Sequence, residues 1–415
     1  MSLGPGWIAA INRHDMKLRY RYRIYPTPQQ EQQMKSVGGS VRFLYNHFLK
    51  VNIDQYNQDK TFVWQFAMSK QLTALKTQHT WLSETYSQVL QQSLKDLDQA
   101  LKNIKKTSAG FPKFKSKYTT PVSFRYQQHT SISTDGKYVK LPKIGDIRIR
   151  LHRALPSTYT GCTITQTPCG WYASFVVEQQ EQSLVDQVQN PVGVDVNSQY
   201  TALSTGELID NPRPLAKRFK HIKHQQRKLS RKQKSSRNRT KQKTRLARIH
   251  DQVRSQRSNH IHQMSARIAK SHDLVSVETL KIEEMRKKSK YAAKCIADAG
   301  WAMLATSIAY KCELSGHHFT KINQWLPSSK TCSSCGVKKS TLDLKQREYH
   351  CESCGVTQHR DINAAMNIKN WGLQQWNIDH ARQELPQAPV DVTWDIMDNW
   401  GHVSQSQLKQ EATAL

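Results

Sequence analysis

The hydrophobic pattern of the N-terminal half changes twice. Residues 16–28 begin with MKLRYRYRIYP, in which basic side chains alternate with apolar or aromatic ones, as in a β-strand with one basic face. Residues 29–110 instead contain two stretches with the helical spacing of apolar positions. Short alternating segments separated by turn residues return in residues 111–180. This order predicts a small β-barrel that is interrupted by a helical module.

The pattern changes again after residues 181–190, a polar stretch that we interpret as a linker. An apolar strand begins at Pro191, a hairpin follows it, and two basic helices then surround a turn near Ser235. Residues 274–280 form a fourth apolar strand, and residues 297–316 have the spacing of one amphipathic helix. A fifth strand and a closing helix complete the order of an RNase H-like fold. The predicted fold class is therefore multidomain α/β plus β-barrel.

The charge balance indicates the kind of partner. The chain has 62 Lys and Arg against 32 Asp and Glu, a net charge of +30 and a pI near 9.8, which favours a polyanion such as nucleic acid. A ribosome-associated or simply basic protein is the alternative at this point. The sequence has neither a membrane-spanning apolar run nor a signal-peptide pattern, so a cytoplasmic location and no membrane partner are expected.

Two segments concentrate this positive charge. Residues 216–250 contain no acidic side chain, whereas a solvated helix face normally mixes both signs, so we expect phosphate contacts. In residues 110–118, GFPKFKSKY, cations alternate with aromatic rings, which suits RNA or single-stranded DNA. The alternative is a loop that packs Phe111 and Phe114 into the barrel. The candidate nucleic-acid-binding residues are Lys113, Lys115, Lys117, Lys217, Arg218, Lys220, Lys223, Arg227, Lys228, Arg231, Lys232 and Lys234.

Four of the eight cysteines form two C-x2-C pairs separated by fifteen residues. Each pair makes a tight turn that points two thiolates at one tetrahedral ion, and this spacing is typical of zinc sites. A glycine follows each pair and permits a left-handed turn. Since sulfur fills all four positions, the zinc is expected to be structural; a redox pair of dithiols is the alternative. The predicted zinc ligands are Cys332, Cys335, Cys351 and Cys354.

Three acidic residues lie in conspicuous places. Asp195 and Glu278 lie within apolar strands, where an isolated carboxylate is costly, and Asp361 lies at the start of the closing helix. A salt bridge or a helix cap explains each one alone, and Arg360 offers Asp361 a partner. An RNase H-like fold, however, brings acids at these three places to one edge of its sheet. We expect them to bind Mg2+ or Mn2+ and to support phosphodiester hydrolysis with two metal ions.

The closing helix starts directly after the cysteine pairs. Its first segment, HRDINAAMNI, begins five residues after Cys354. We therefore expect the zinc site to fix where Asp361 enters the acid site. Asn363 is interpreted either as a supporting or phosphate contact or as an ordinary helix residue.

Two further segments have competing interpretations. His260-Ile-His262 matches the His-hydrophobic-His motif of nucleases that use a tyrosine nucleophile. Its helical, basic context argues against a shared metal, because residues i and i+2 diverge on a helix. Residues 285–295, between Glu278 and the following helix, are placed to form a mobile lid over the acid site.

Several blocks of the sequence resemble the TnpB (OrfB) proteins of bacterial insertion sequences, which are compact relatives of type V CRISPR effectors. The blocks are GVDVN, VSVETL, WLPSSKTCSSCG, YHCESCG and HRDINAAMNI, with RIYPTPQQ, VRFLYNHFL, GFPKFKSK and KLPKIG upstream. The resemblance extends over about residues 16–370. Residues 1–15, an extension, and residues 371–415, an acidic segment that we expect to be unpacked, lie outside it.

This resemblance implies an RNA-guided DNA endonuclease. The barrel is then a wedge-like domain over residues 16–28 and 111–180, and the inserted helices form a recognition module. The nuclease is a RuvC-type domain over residues 191–325 and 356–370, with a zinc ribbon inserted at 326–355. The three acids fall on the family's acidic positions. The implied cofactors are structural Zn2+ and catalytic Mg2+ or Mn2+.

The resemblance also implies partners. These are a guide RNA derived from the element's own end and double-stranded DNA, with one RNA on a monomeric protein at the bacterial nucleoid. Base pairing reads the target, while the protein reads a short adjacent motif. Ser87, Gln88 and Gln91 occupy family-like positions for that reading, and amide side chains suit adenine edges. Ordinary exposed helix residues are the alternative.

Three other functions compete with the guided nuclease. A nuclease-silent RNA-guided repressor is disfavoured by the intact acids. A transposase that joins DNA ends without a guide uses a similar acid triad, so dependence on RNA separates the two. A zinc-dependent DNA-binding regulator leaves the acids in apolar strands unexplained.

Overall fold

A computed structural model provides the fold of most of the chain. Residues 1–15, the predicted extension, lie outside the described residues. So do residues 385–415, which make up most of the predicted acidic tail. The structure describes residues 16–107, 110–118, 120–180, 182–343 and 346–384.

The first sheet is antiparallel, and β1 lies near its middle because β1 pairs with both β5 and β7. The strand order is β2-β6-β7-β1-β5-β4-β3. Strands β2 and β3 form the two edges, so the described residues form an open half-barrel instead of the predicted closed barrel. The strands are β1 (Met16–Tyr25), β2 (Ser123–Tyr126), β3 (Ser131–Ile132), β4 (Tyr138–Leu141), β5 (Gly145–Arg150), β6 (Cys162–Thr167) and β7 (Gly170–Gln179).

A helical module is inserted between β1 and β2, as the pattern predicts. Helix α1 (Pro28–Asp59) begins with a capping box between Thr27 and Gln30. The second predicted stretch is divided into α2 (Gln65–Gln78), a 3-10 turn (Thr80–Glu84) and α3 (Ser87–Thr107). The helices share a leucine-rich core of their own, and Met34 of α1 and Val89 of α3 also pack into the core of the first sheet.

The second sheet has the strand order β10-β9-β8-β11-β12. The hairpin β8-β9-β10 is antiparallel, whereas β11 is parallel to both β8 and β12. This arrangement agrees with the RNase H-like order expected from the sequence. The strands are β8 (Pro191–Val196), β9 (Tyr200–Leu203), β10 (Leu208–Asp210), β11 (Leu274–Glu278) and β12 (His318–Ile322).

Among the described residues, five helices lie between the hairpin and the cysteine segment. The basic segment folds into α4 and α5 around Ser235, whose φ is 69°, as predicted. The single helix predicted for residues 297–316 is wrong, because Gly300 adopts a left-handed φ of 69° and separates α7 from α8. Residues 285–295, for which a mobile lid is predicted, are largely helical. The helices are α4 (Pro214–Ser230), α5 (Arg237–Ser271), α6 (Ile282–Lys288), α7 (Lys290–Ala299) and α8 (Trp301–Leu314).

The closing helix, α9 (Arg360–Glu384), follows a two-stranded ribbon of β13 (Glu348–His350) and β14 (Thr357–His359). It packs across β8, β11 and β12. The prediction of an unpacked segment from residue 371 is wrong for residues 371–384, which continue this helix. The Trp376 ring lies 5.3 Å from the His318 ring of β12 and anchors that extension.

The predicted linker is tied to the second sheet. Residues 182–190 have no regular structure, but the backbone N–H groups of Gln189 and Asn190 donate to the Asp273 carboxylate at 2.7 to 2.9 Å. The Val185 N–H also donates to the Gly316 carbonyl at 2.9 Å. Among the described helices, none is long and apolar enough to cross a membrane.

Candidate active site and metal centre

The alternation of β8 and β11 directs two acids toward α9. Val194 pairs with Val277 in the parallel register, so the next residues, Asp195 and Glu278, lie side by side at the carboxyl ends of β8 and β11 and point to the same face of the sheet. The valines pack with α5 and α8 in the core, whereas the alternate positions face α9. At Gly193 an added Cβ would lie 2.0 Å from a backbone oxygen of α9. The sheet and helix therefore approach closely beside the acids.

Asp361, in the first turn of α9, completes the cluster. The pKa of Asp195 is raised well above its ordinary value by burial and by the negative charges of Glu278 and Asp361, and Arg360 opposes this rise. Burial also raises the pKa of Glu278, which a hydrogen bond from Ser328 counteracts. The effect of Glu278 and Asp361 on the pKa of Asp195 indicates that the three carboxylates lie in one region of the site. Such oxygens suit a divalent cation, which would relieve their repulsion.

Two neighbours on the β8–β9 hairpin hold Asp361. The Tyr200 hydroxyl donates to Asp361 Oδ2 at 2.6 Å, and Asn197 Nδ2 donates to the same oxygen at 3.0 Å. Arg347 Nη1 lies 3.9 Å from this oxygen and forms an ion pair with it. The Arg360 guanidinium, which the sequence offers as a partner of Asp361, donates to the backbone carbonyls of Asp343 and Gln346. Sequence reasoning missed Tyr200 and Asn197, although both lie within five residues of Asp195.

A set of hydrogen bonds ties the cysteine segment to α9. Asn363 is fully buried; its Oδ1 accepts the Ser333 N–H at 2.9 Å, and its Nδ2 donates to the Thr331 carbonyl at 2.7 Å. Asn367 Nδ2 donates to the Ser328 carbonyl at 2.8 Å. Asn363 therefore supports the site from within and does not face a phosphate.

The same segment reaches the second acid. The Ser328 hydroxyl donates to Glu278 Oε1. One continuous set of contacts therefore runs from the cysteine segment to α9 and to the end of β11. This arrangement places Asp361 and Glu278 relative to each other.

The four cysteine sulfurs are gathered around one point. All lie within 4.8 Å of one another, and the Cys332–Cys354 and Cys335–Cys351 Sγ pairs are each 3.6 Å apart. Tetrahedral zinc with Zn–S bonds of about 2.3 Å separates its sulfurs by about 3.8 Å, so these residues fit zinc. The distance also excludes a disulfide, whose S–S bond is about 2.05 Å.

The backbone shapes this centre. Gly336 and Gly355 have φ values of 76° and 74°, and each donates its N–H to the carbonyl of the first cysteine of its pair at 2.9 Å. In the described ranges, no other set of three or more His, Cys, Asp or Glu residues has its ligand atoms within 4.8 Å of one another, so Asp195, Glu278 and Asp361 are neighbours that are less tightly gathered than the cysteines.

The basic helices α4 and α5 pack through a small apolar core of Ile222, Ile249 and Val253. The predicted phosphate-binding residues of α4 and the following turn are mostly exposed; Arg218 and Lys232 are half-buried. In the part of the chain that the structure describes, these nine residues make no ion pair with an acid. Their charges are therefore available to a polyanion. They are Lys217, Arg218, Lys220, Lys223, Arg227, Lys228, Arg231, Lys232 and Lys234.

The lysines of the second cationic segment, residues 110–118, differ in exposure. Lys113 and Lys117 are exposed, whereas Lys115 Nζ lies 3.6 Å from the centre of the Tyr45 ring and is half-buried. Phe111 packs against rings of the helical module instead of the barrel, at 5.2 and 5.9 Å between centroids. Phe114 is 54% exposed. The alternative of two phenylalanines packed into the barrel is therefore wrong.

The candidate motif-reading residues lie in the first two turns of α3. Ser87 and Gln91 are exposed, and Gln88 is half-buried with Nε2 3.4 Å from Gln128 Oε1. They share one end of the helix beside the first sheet. His260 and His262, by contrast, lie within α5, so the helical context that argued against a shared metal is confirmed.

Three family models match the chain. The OrfB_IS605 model, described as "Probable transposase", matches residues 174–289. A "Cas12f1-like, TNB domain" model matches residues 301–368, which include the cysteine centre and the start of α9. A "Helix-turn-helix domain" model of OrfB_IS605 matches residues 16–61, where the structure has β1 and α1.

Two curated relatives align with most of the chain. One, from Streptomyces pristinaespiralis, is named as a candidate RNA-guided DNA endonuclease; it is 31% identical over 86% of this chain and 90% of its own length. Another, the candidate RNA-guided DNA endonuclease InsQ of Escherichia coli K12, is 29% identical over 90% of this chain and 97% of its own length.

Solved structures are more distant. A Cas12f1–sgRNA–target DNA complex gives a TM-score of 0.34 at 16% identity, covering 86% of this chain and 99% of that one. CasPhi-2 (Cas12j) bound to crRNA gives 0.41 at 8% identity, covering 87% and 99%. TM-scores this low do not establish a shared fold.

Proposed function

Because the chain belongs to the TnpB (OrfB) family of insertion-sequence proteins, we propose that it is an RNA-guided DNA endonuclease. Its cutting centre is formed by Asp195, Glu278 and Asp361. The observation that carries this proposal is the placement of these acids at the adjacent carboxyl ends of β8 and β11 and in the first turn of α9, which packs across both strands. Burial, together with the charges of Glu278 and Asp361, raises the pKa of Asp195, as is common for acids at functional sites.

The three carboxylates would hold Mg2+ or Mn2+. When bound, such ions supply an activated water and stabilise the oxygen that leaves the phosphorus. The chain's own residues orient the ligands. Tyr200 and Asn197 both donate to Oδ2 of Asp361, so we assign Oδ1 of that carboxylate to a cation. Since hydrogen bonds fix the orientation of ligands and tune them, these donors are part of the cutting centre.

The cysteine centre would hold structural Zn2+ as a ribbon inserted at residues 326–355 of a RuvC-type domain. Its proposed task is to place α9. The buried amides of Asn363 and Asn367 fasten the helix to the backbone beside the first cysteine pair. The ribbon therefore contributes to cutting without contacting the DNA at the acids.

The remaining surfaces would bind nucleic acid. We assign phosphate contacts to the uncompensated cations of α4 and the turn after it, and to Lys113 and Lys117. Base pairing with a guide RNA from the element's own end then selects the double-stranded target, on a monomeric protein with one RNA. Ser87, Gln88 and Gln91, on the module inserted into a wedge-like half-barrel, are assigned to the target-adjacent motif.

The test uses protein co-expressed with its native flanking DNA. The co-purifying RNA is sequenced, and the complex then receives Mg2+ and a DNA library that matches this RNA and carries randomised flanks. We expect cleavage of one flank class, and loss of cleavage in Asp361→Ala. Bound RNA without cleavage would indicate a guided repressor. Processing of element ends without RNA would indicate the transposase that the family description names.

A further inference from the structure

Trp325 is a large apolar ring held in solvent, with 76% of its surface exposed. Its loop is ordered by local hydrogen bonds: the Trp325 N–H donates to Asn323 Oδ1 at 3.1 Å, and the Leu326 N–H donates to the Asn323 carbonyl at 3.2 Å. The turn therefore presents the ring outward. Burying it would remove much apolar surface from water, so its exposure is a cost to the isolated protein.

The ring is connected to Glu278 from two directions. Along the chain, Trp325 precedes Ser328 by three residues, and the Ser328 hydroxyl donates to Glu278. On the other side, Lys281 follows Glu278 by three residues, and its Nζ lies 5.4 Å from the centre of the Trp325 ring. Lys281 also pairs with the exposed Glu284 carboxylate at 3.4 Å, a surface ion pair that a phosphate can replace at little cost. A flat ring and a cation therefore lie together near the end of β11 that carries Glu278.

The chemistry of this pair fits an unpaired nucleotide. An exposed indole stacks on the face of any base, and a neighbouring ammonium attracts the phosphate. A base in a duplex is stacked between its neighbours and has no free face to offer. The inference rests on the proposed nuclease function, in which the strand beside Glu278 is DNA. We propose that Trp325 and Lys281 form a stacking platform for an unpaired base of the DNA strand that is cut at the acid site.

The chain offers a matched control for this platform. Phe66 of α2 is 75% exposed, and Lys70 Nζ lies 5.0 Å from the centre of its ring. The pair has the same chemistry as Trp325 and Lys281, but it belongs to the helical module and has no connection to the acids. A general effect of removing an exposed ring would therefore appear at both places.

The experiment separates base stacking from phosphate attraction. The full-length protein with its co-purified RNA carries Asp195→Asn to prevent cutting. Fluorescence anisotropy then gives its affinity for an adenine-rich single-stranded DNA of about eight nucleotides and for an abasic strand of the same length, neither complementary to the RNA. Trp325→Ala, Trp325→Phe and Phe66→Ala are compared, and an adenine-rich RNA serves as a further probe.

We expect Trp325→Ala to weaken binding of the adenine strand about tenfold and to leave binding of the abasic strand unchanged. Trp325→Phe should lose less affinity for the adenine strand than Trp325→Ala, and Phe66→Ala should change the affinity for neither strand. Equal losses for both strands, no loss, or an equal loss in Phe66→Ala would overturn the platform. A larger base-dependent loss with RNA than with DNA would also overturn it, since the ring would then serve the guide.

Cleavage separates this inference from the proposed function. With Asp195 restored, single-turnover cutting of guide-matched DNA should be slower in Trp325→Ala by about the same factor. If Trp325 shows the base-dependent binding but the protein never cleaves DNA, the proposed nuclease function is wrong and the platform is not. A protein that cuts normally and shows no base-dependent loss would contradict the platform alone.

Discussion

The two candidate metal sites of this chain are built in opposite ways. The four cysteines come from one short segment, and backbone turns within that segment bring the sulfurs of Cys332 and Cys354, and those of Cys335 and Cys351, to 3.6 Å from each other. The three acids come from two strands and a helix, and the packing of α9 on the sheet brings them together. The first site is therefore fixed locally, whereas the second depends on tertiary structure.

This difference explains why the two sites are physically linked. Carboxylates that repel one another separate when the elements carrying them can move. Asn363 and Asn367 fasten α9 to the cysteine segment, and Ser328 extends the connection to Glu278. The local site thus supplies the rigidity that the dispersed site lacks, and the predictions below test that dependence.

The largest effect is expected from loss of the zinc ligands. In Cys335→Ser/Cys354→Ser, zinc content should fall to near zero, and cleavage should fall by at least about 100-fold because the start of α9 loses its support. Metal analysis and single-turnover cleavage measure both. Cys295→Ser, outside the cluster, is the control. Full cleavage by a zinc-free protein would show that the acids do not need the ribbon.

Breaking the connection while keeping zinc should have an intermediate effect. Asn363→Ala leaves the Ser333 N–H without its buried acceptor and removes one of two donors to the Thr331 carbonyl, so the free energy of unfolding should fall by about 1–3 kcal/mol. Cleavage should fall about 10- to 100-fold at unchanged zinc content. Asn370→Ala, exposed on the same helix, should change stability by less than about 0.5 kcal/mol. Equal behaviour of the two variants would remove Asn363 from this role.

Two glycine-to-alanine variants should change stability in opposite directions, because Gly193 lies against α9 whereas Gly39 faces open space. In Gly193→Ala the new Cβ would meet the Ala365 carbonyl at 2.0 Å, so overpacking should destabilise the protein by about 1–3 kcal/mol. In Gly39→Ala of α1 the nearest atom, on Arg42, is 4.0 Å away, and stability should rise by about 0.5–1 kcal/mol. Denaturant unfolding measures both. A stabilised Gly193→Ala would mean that α9 does not lie so close to β8.

The smallest effect concerns a surface outside both sites. Lys223→Gln on α4 should weaken nucleic-acid binding a few-fold and lower the slope of log affinity against log salt by about 1, because one phosphate contact is lost. Lys50→Gln, whose lysine pairs with Asp54 at 2.9 Å, should leave the slope unchanged. Titrations at several salt concentrations provide the slopes, and an unaltered slope in Lys223→Gln would argue against that contact.

The local features of this fold could be predicted from the sequence. The C-x2-C spacing predicts the cysteine cluster, and apolar runs interrupted by Asp195 and Glu278 predict strands with an acid at one edge. Features that depend on distant contacts could not be predicted. Asp361 pairs with Arg347, which lies in another segment of the chain, because side-chain directions and not sequence distance decide contact.

Two boundary errors have similar causes. Gly300 ends α7 and starts α8 within an apolar pattern that continues through it, so periodicity alone does not reveal the break. The segment after residue 370 is predicted as unpacked from its charge, but the Trp376 ring contacts His318 and Gly372 lies against Ser276. Trp371 and Trp376 at the start of that segment were the available signal, since large rings are seldom left without a surface to cover.

The most direct test of the central claim is cleavage by Asp195→Asn and Asp361→Asn, with zinc content, bound RNA and target affinity measured on the same samples. Asp210→Asn, at the exposed end of the edge strand β10, is the control. The account predicts that both acid variants keep zinc, RNA and target while cleavage falls at least about 1,000-fold, because several kcal/mol of transition-state stabilisation is lost. Cleavage near the Asp210→Asn rate in either variant would contradict it.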